Sequence, residues 1–262
     1  VDYRKDRAAL LNKTGITITT LDGDMHQRIE VITKGFNSAD ILFVLVKSHA
    51  TASLQLPKNT PVLTLQNGLG NAEILSNSGL VSLMAGATSE AVTWLDTGHV
   101  RHAASGKTIF GAWTFCDTVQ PLNLLQRAGF DAEVTKNPAK AIWKKAIINA
   151  GINPLTALLN LKNGALLERE ETVELLRILV LEAVSVAEAE GYHFDCDLVE
   201  ETLQVCSATC DNESSMLQDI RNSRRTEIDA ISGEILRRAH RAGLKVPHTQ
   251  TIYNLVRTRE QL

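Results

Sequence analysis

Lys145 and Asn149 stand four residues apart in Trp143-Lys144-Lys145-Ala146-Ile147-Ile148-Asn149-Ala150, an otherwise apolar run of helical character, and Asn153 continues the row. Residues at i and i+4 stack on one helix face. An ammonium and two amides therefore project into one space, with some angular drift as the helix meets Gly151 and Pro154. Such a row can grip a small polar anion and donate a proton to it. The same residues would equally form a polar stripe laid against solvent, so the segment has to be weighed with the rest of the chain.

A second group lies further on. Ser214-Ser215-Met216-Leu217-Gln218-Asp219-Ile220-Arg221 precedes Arg224-Arg225-Thr226-Glu227-Ile228-Asp229. Ser214 or Ser215 suits a helix cap. Glu227 and Asp229 alternate with apolar residues at what reads as the start of a helix, Thr226 to Ala242, where a carboxylate can be directed inward or left as plain surface charge.

The elements that must position these groups fall into two halves. Ile41–Val46, Pro61–Gln66 and Val81–Thr88 are nearly continuous apolar runs, as expected of strands covered on both faces of a parallel sheet. Helical segments fit between them at about Ala50 to Leu56 and Ala72 to Ser78. Glu90 to Leu95 and Val100 to Ala104 read as strands joined through Asp96-Thr97-Gly98-His99, a turn signal, and Lys107 to Ala112 offers another. The expectation is a parallel sheet passing into antiparallel strands at one edge. From Ala139 onward the chain reads helical: Glu168 to Gly191, Asp197 to Cys210, Thr226 to Ala242, and a last helix opened by Pro247-His248-Thr249. A boundary at Lys136-Asn137-Pro138 gives an α/β domain over 1–138 and a helical domain over 139–262. A cleft between two such halves is a common place for a small-molecule site.

Ligands of open α/β sheets bind beyond the carboxyl ends of the strands. Lys47 stands there after Val46, Asn67-Gly68-Leu69-Gly70-Asn71 follows the next strand, and Arg4 and Lys5 follow a strand stub at Val1. Each is weak alone, since a strand-end lysine is often only solvated and Asn-Gly is usually a turn. Together they set a cation, a backbone-exposing glycine loop and a phosphate-sized positive patch on one rim. The chain starts at Val1-Asp2-Tyr3-Arg4-Lys5 with a helix-like Asp6 to Lys13 directly after, as the second strand of a nucleotide-binding fold ends. The expectation is that one strand–helix unit of roughly 30 residues, with its pyrophosphate-binding glycines, precedes Val1.

Composition narrows the classes. With 262 residues and 44% hydrophobic content a substantial core is available, and a net charge of −3 without a long basic run argues against a nucleic-acid binder. No apolar stretch is long enough for a membrane span. Cys116, Cys196, Cys206 and Cys210 are scattered, and Cys206 and Cys210 sit at helical spacing that suits neither a zinc ribbon nor a redox pair. No metal is expected, and cytoplasm is the default compartment.

In this order the motifs resemble the ketopantoate reductase (2-dehydropantoate 2-reductase) family over essentially the whole chain. The matching segments are Val46-Lys47-Ser48, Gln66-Asn67-Gly68-Leu69-Gly70, Trp143-Lys144-Lys145 with Asn149 and Ile152-Asn153-Pro154-Leu155-Thr156-Ala157, Ser214-Ser215-Met216-Leu217-Gln218-Asp219, and Arg225-Thr226-Glu227-Ile228-Asp229 with Gly233. The resemblance implies a Rossmann-like first half, a substrate and dimerisation role for the helical domain over 139–262, and NADPH-dependent reduction of 2-dehydropantoate to (R)-pantoate, on the route to pantothenate and coenzyme A. It implies Lys145 as general acid, and Asn149, Asn153, Ser215 and Glu227 as substrate-binding groups. Lys47 and Asn67 fall at the nicotinamide end, with Arg4 at the far end of the cofactor. Asp2 suits a ribose diol, whereas Arg4 and Lys5 suit a 2′-phosphate, which together with the family favours NADPH. The alternatives are a reductase of the same architecture acting on another branched 2-keto acid, and a non-catalytic, dimerising metabolite-binding module. A homodimer is compatible with either.

Overall fold

The computed structural model describes residues 1–2, 4–35 and 38–262. Tyr3, inside the expected strand stub, lies outside the described residues. The chain forms two compact units: Val1–Val44, Ser53–Leu65 and Leu75–Pro138 make the first, and Leu45–Ala52, Gln66–Ile74 and Ala139–Leu262 the second. The second unit therefore draws two short segments from before residue 138.

In the first unit, helix α1 (Lys5–Thr14) stops at Gly15, whose φ of +72° and N–H bond to the Leu11 carbonyl close the last turn. Strands β1 (Ile16–Thr20) and β2 (Gly23–Gln27) follow as an antiparallel hairpin. Next come β3 (Leu42–Val44), β4 (Val62–Thr64), helix α2 (Asn71–Asn77), of which only the part from Leu75 belongs to this unit, β5 (Leu83–Thr88), β6 (Ala91–Asp96), β7 (His99–Ala104), β8 (Thr108–Ala112), α3 (Val119–Arg127) and β9 (Ala132–Val134). The main sheet has the order β3-β4-β5-β8-β9, with parallel β3, β4 and β5 and an antiparallel β5–β8 pair. Its short central strands are apolar on both sides because both faces are covered. Side chains alternate along a strand, so Val62 and Leu83 pack with Val44, Leu75 and Leu80, while Leu63 and Met84 pack with Phe110, Leu125 and Ala132.

The antiparallel strands are not all at the edge of that sheet. β6 and β7 leave it for a second sheet, β2-β1-β7-β6, in which β1 runs parallel to β7. β6 alternates half-buried and exposed residues, the pattern of a strand with one wet face, which unlike β8 cannot line a doubly covered sheet. The stub at Val1 and Asp2 carries no strand, although the Asp2 N–H donates to the Ile32 carbonyl at 2.8 Å. The segment expected as a helix from Ala50 is a short 3₁₀ helix at Ser48–Ser53, tightened by the Ala50 N–H on the Lys47 carbonyl.

The second unit is helical: α4 (Pro138–Leu159), α5 (Glu170–Ala189), α6 (Leu198–Ala208), α7 (Ser215–Arg221), α8 (Ser232–Ala242) and α9 (Pro247–Arg259). Helix α4 runs through both Gly151 and Pro154. Gly151 permits close packing, since a Cβ there would sit 2.8 Å from Val180 Cγ2 on α5. Trp143, Ile147, Ala150 and Leu155 enter the unit's core with Leu176, Val180 and Ala183. That packing fixes the rotation of α4, and with it the direction of the Lys145 row. Among the described residues no helix is long and apolar enough to cross a membrane.

Candidate active site

The site assembles within the second unit, from the two short loop segments upward. Gln66, buried, donates from Nε2 to the Val46 carbonyl at 2.7 Å and to Thr51 Oγ1 at 2.8 Å. The Thr51 hydroxyl donates to Asn71 Oδ1 at 2.8 Å, and the Asn71 amide donates to the Asn67 carbonyl at 3.0 Å. Buried polar groups that satisfy one another fix a single arrangement. Here they tie the Lys47 segment to the Asn67 loop.

That loop docks on the turn that carries Glu227. Leu69 N–H donates to the Ala230 carbonyl at 2.8 Å. Gly68, at φ +83°, lies so close that a Cβ would stand 2.6 Å from the same oxygen and 2.7 Å from Ala230 Cβ. The glycine is there for a left-handed backbone against a neighbouring chain segment. Its requirement is internal packing.

Glu227 does not open a helix. Helix α8 begins at Ser232, and residues 227–231 form turns in which the Glu227 carbonyl accepts the N–H groups of Ala230 and Ile231. The turn is pinned on both sides, by α9 and by Glu260 directly after it. Glu260 Oε1 accepts Thr226 N–H at 2.7 Å and Thr226 O–H at 2.6 Å, while Asp229 accepts Tyr253 O–H at 2.8 Å and Arg257 N–H at 2.9 Å. These side-chain bonds at Thr226 and Asp229 hold the backbone out of helical form.

The buried Glu227 carboxylate consequently faces the loop segments. Ser48 N–H donates to Oε1 at 3.0 Å, Asn67 Nδ2 donates to Oε2 at 3.2 Å, and Lys47 Nζ stands 3.7 Å from Oε2. Lys47 also makes a 2.7 Å ion pair with Asp219. Burial pushes the Asp219 carboxyl above the ordinary range, and its bond to Lys47 opposes that shift.

Lys145 projects from the middle of α4. Loss of hydration pulls its ammonium down from 10.5 to about 8, and the negative charge of Glu227 acts in the opposite sense. The chain thus brings Lys145, Glu227, Lys47 and Asn67 into one electrostatic neighbourhood. Asn149 is half-buried and Asn153 buried on the same helix. Ser215 is exposed at the first position of α7, whereas Ser214 before it is the buried cap, accepting Leu217 N–H at 3.1 Å and bonded to Thr156 at 2.7 Å. Asp219 stands one turn beyond Ser215, on its face of the helix. Sequence reasoning gave Asp219 no role. Its one signal was a carboxylate between the apolar Leu217 and Ile220, one turn after a serine of interest.

Arg4 and Lys5 belong to the first unit, at the start of α1, and are exposed. Asp2 is spent on its neighbours. Oδ1 accepts Arg4 N–H and an Arg7 guanidinium N–H, both at 2.9 Å, and Oδ2 accepts Arg7 Nε–H. Arg4 makes a 2.6 Å pair with Asp6, while its guanidinium keeps half its surface in solvent.

The ketopantoate reductase PanE/ApbA family pattern matches residues 1–114, and that of the ketopantoate reductase PanE/ApbA C-terminal region matches residues 137–260. A 2-dehydropantoate 2-reductase of Halobacterium salinarum is 37% identical, covering 84% of this chain and 75% of its own. The chain belongs to the ketopantoate reductase family. A 2-dehydropantoate 2-reductase of Escherichia coli O157:H7 is 38% identical over 85% of the chain and 75% of its own. Among solved structures, a PanE/ApbA family ketopantoate reductase from Ralstonia eutropha superimposes with a TM-score of 0.88 at 28% identity, covering 98% of this chain and 89% of its own. The Rossmann-like first half and helical second half are thus the family's architecture.

Proposed function

We propose that the protein reduces 2-dehydropantoate to (R)-pantoate with NADPH. The observation that carries this is the Lys145 ammonium, with its pKa drawn down to about 8 by burial and opposed by Glu227. Reduction of a ketone places negative charge on the carbonyl oxygen, and a positioned ammonium offsets that charge and supplies the proton. With a pKa near 8, Lys145 is mostly charged at neutral pH yet gives up its proton readily. Asn149 and Asn153, on the same helix, orient the 2-keto acid. Glu227, already held by Ser48 and Asn67, accepts a hydrogen bond from the substrate hydroxyl. Ser215 adds a hydroxyl from α7.

The cofactor's donor set is tested by Asp2. A ribose diol needs a carboxylate with acceptor sites to spare, and Asp2 already accepts Arg4 N–H and two guanidinium N–H groups of Arg7, three of its roughly four sites. Exposed Arg4 and Lys5 suit a 2′-phosphate instead, which supports NADPH. Lys47 and Asn67 would hold the nicotinamide end. NADPH bound there supplies the hydride.

The test is NADPH oxidation by the purified protein with 2-dehydropantoate, beside straight-chain and other branched 2-keto acids. Consumption of NADPH with formation of (R)-pantoate is the expected result. Faster turnover of another branched 2-keto acid would reassign the substrate while keeping the chemistry. No turnover of any 2-keto acid would overturn the proposal.

A further inference from the structure

Four charged side chains alternate in sign through the site. Lys145 is coupled to Glu227, Glu227 lies 3.7 Å from Lys47, and Lys47 is bound at 2.7 Å to Asp219. Asp219 and Glu227 are both buried, while the Lys47 side chain is 40% exposed. A flexible, partly hydrated lysine beside two buried carboxylates settles on the one whose charge is least compensated. Glu227 already receives Ser48 N–H and Asn67 N–H. Asp219 is pushed toward its neutral form by burial and by the charge of Glu227, and the Lys47 bond acts against that.

We propose that Asp219 is a positioning residue, which anchors Lys47 and so keeps the Glu227 carboxylate from being neutralised by it, leaving Glu227 to hold the Lys145 ammonium and the substrate hydroxyl. Without Asp219, Lys47 closes the remaining distance to Glu227. The carboxylate then supports Lys145 less, and the ammonium loses its proton at lower pH. The inference rests on the reductase function proposed above.

The charged groups around this row come from several elements. Glu227 belongs to the turn before α8, Lys47 to the segment before the 3₁₀ helix, Asp219 to α7 and Arg224 to the loop after it, where it acts on Asp219. On α4 itself, Lys144 is paired with Glu201 of α6 at 2.8 Å. Of these, Asp219 holds Lys47 at contact distance, 2.7 Å, while Glu227 stands 3.7 Å from the same ammonium.

The test compares wild type, Asp219→Asn, Asp219→Glu and Lys47→Met. Two titrations are run on each: kcat/KM against pH with NADPH and 2-dehydropantoate, and the Lys145 amine itself by competitive acetylation read by mass spectrometry, which needs no substrate. In Asp219→Asn the alkaline limb and the Lys145 titration both move down by about half a unit to one unit, and KM for the keto acid rises roughly five- to twentyfold. Asp219→Glu restores most of both. Lys47→Met moves Lys145 slightly the other way, because the residual pull of that cation on Glu227 across 3.7 Å is gone. An unchanged Lys145 titration in Asp219→Asn would overturn the proposal, even where the variant is less stable. Should Asp219→Asn fail to fold, the Lys47→Met titration decides by its direction. If the wild type reduces no 2-keto acid, the proposed function fails while the acetylation titration still judges Asp219.

Discussion

Asn67 and Glu227 lie 160 residues apart in the chain, and the Asn67 amide donates to the Glu227 carboxylate at 3.2 Å. Each side chain therefore fixes the other's direction. Ser48 N–H, donating to the second carboxylate oxygen, leaves Glu227 little rotational freedom. A buried carboxylate held this way is preorganised to accept a hydrogen bond from a ligand, since its own ordering was completed on folding.

Glu227→Ala should accordingly raise KM for 2-dehydropantoate by about ten- to a hundredfold, the value of a hydrogen bond to a charged group. NADPH affinity, measured by fluorescence titration, should fall by a smaller factor, since Glu227 acts on the cofactor only through the direction it gives the Asn67 amide. Because Glu227 supports the charged form of Lys145, the alkaline limb of the rate profile should also move down. Equal losses in cofactor and substrate affinity would place Glu227 in the wrong role.

Lys145→Ala should lower kcat by roughly two to four orders of magnitude, as expected for a positioned general acid. The wild-type kcat/KM should hold below pH 8 and fall above it, because the protonated amine is the active form and its pKa is about 8. Stability runs the opposite way. The native pKa lies below the unfolded value of 10.5, so the unfolded state binds more protons between the two, and stability rises with pH across that window. At pH 7 the native state bears the full penalty of a poorly hydrated ammonium. Lys145→Met should therefore be more stable than wild type at pH 7, by about 1–2 kcal/mol given partial solvent contact, with the gain vanishing above the unfolded pKa. Denaturant melts at pH 7 and near pH 10.5 read this directly.

Gly68→Ala tests the docking of the glycine loop. With φ at +83° and a Cβ that would overlap the Ala230 carbonyl, the substitution strains the backbone and pushes the loop off the turn. A loss of about 1–3 kcal/mol is expected, with KM rising as Asn67 leaves Glu227. A variant as stable as wild type with unchanged KM would show that the loop has slack.

Local pattern carried much of this site, and distance in sequence hid the rest. The Lys145–Asn149–Asn153 row is a matter of helical spacing, so it was legible, as were the doubly covered strands β4 and β5. Glu227 was legible as a residue of interest but its backbone was not. Thr226 and Asp229 are drawn into bonds with Glu260, Tyr253 and Arg257, partners more than twenty residues away that no local propensity encodes. Asp219 had the same difficulty, since its partner Lys47 is 172 residues distant. The hairpin β1–β2 escaped notice because Ile16-Thr17-Ile18-Thr19-Thr20 is only half-buried. A strand paired to a wet neighbour needs no strongly apolar face.

The Glu260 clamp gives a fourth expectation. Glu260→Ala removes the acceptor for both Thr226 N–H and Thr226 O–H, leaving a buried donor pair unsatisfied. The turn should loosen, with KM for the keto acid rising several-fold and kcat falling less, and Glu260→Gln should recover part of the loss because its amide oxygen still accepts. Parallel losses in both variants, traced to stability alone by their melting temperatures, would reduce Glu260 to an ordinary structural bond.

Cofactor preference separates the exposed cations from the buried acid in the first unit. Replacing Arg4 and Lys5 together by glutamine should weaken NADPH binding by roughly tenfold and leave NADH nearly unchanged, since only the 2′-phosphate meets those charges. Rising salt should shrink the NADPH advantage of the wild type, because exposed charges are screened, and should do little to the double variant. Asp2 is occupied by Arg7 and by the Arg4 backbone, so Asp2→Asn should not lower NADH affinity specifically; its effect should appear as a lower melting temperature. A parent enzyme that binds NADH more tightly than NADPH would mean that Asp2 releases Arg7 for the ribose, and would overturn the phosphate assignment while leaving the chemistry at Lys145 untouched.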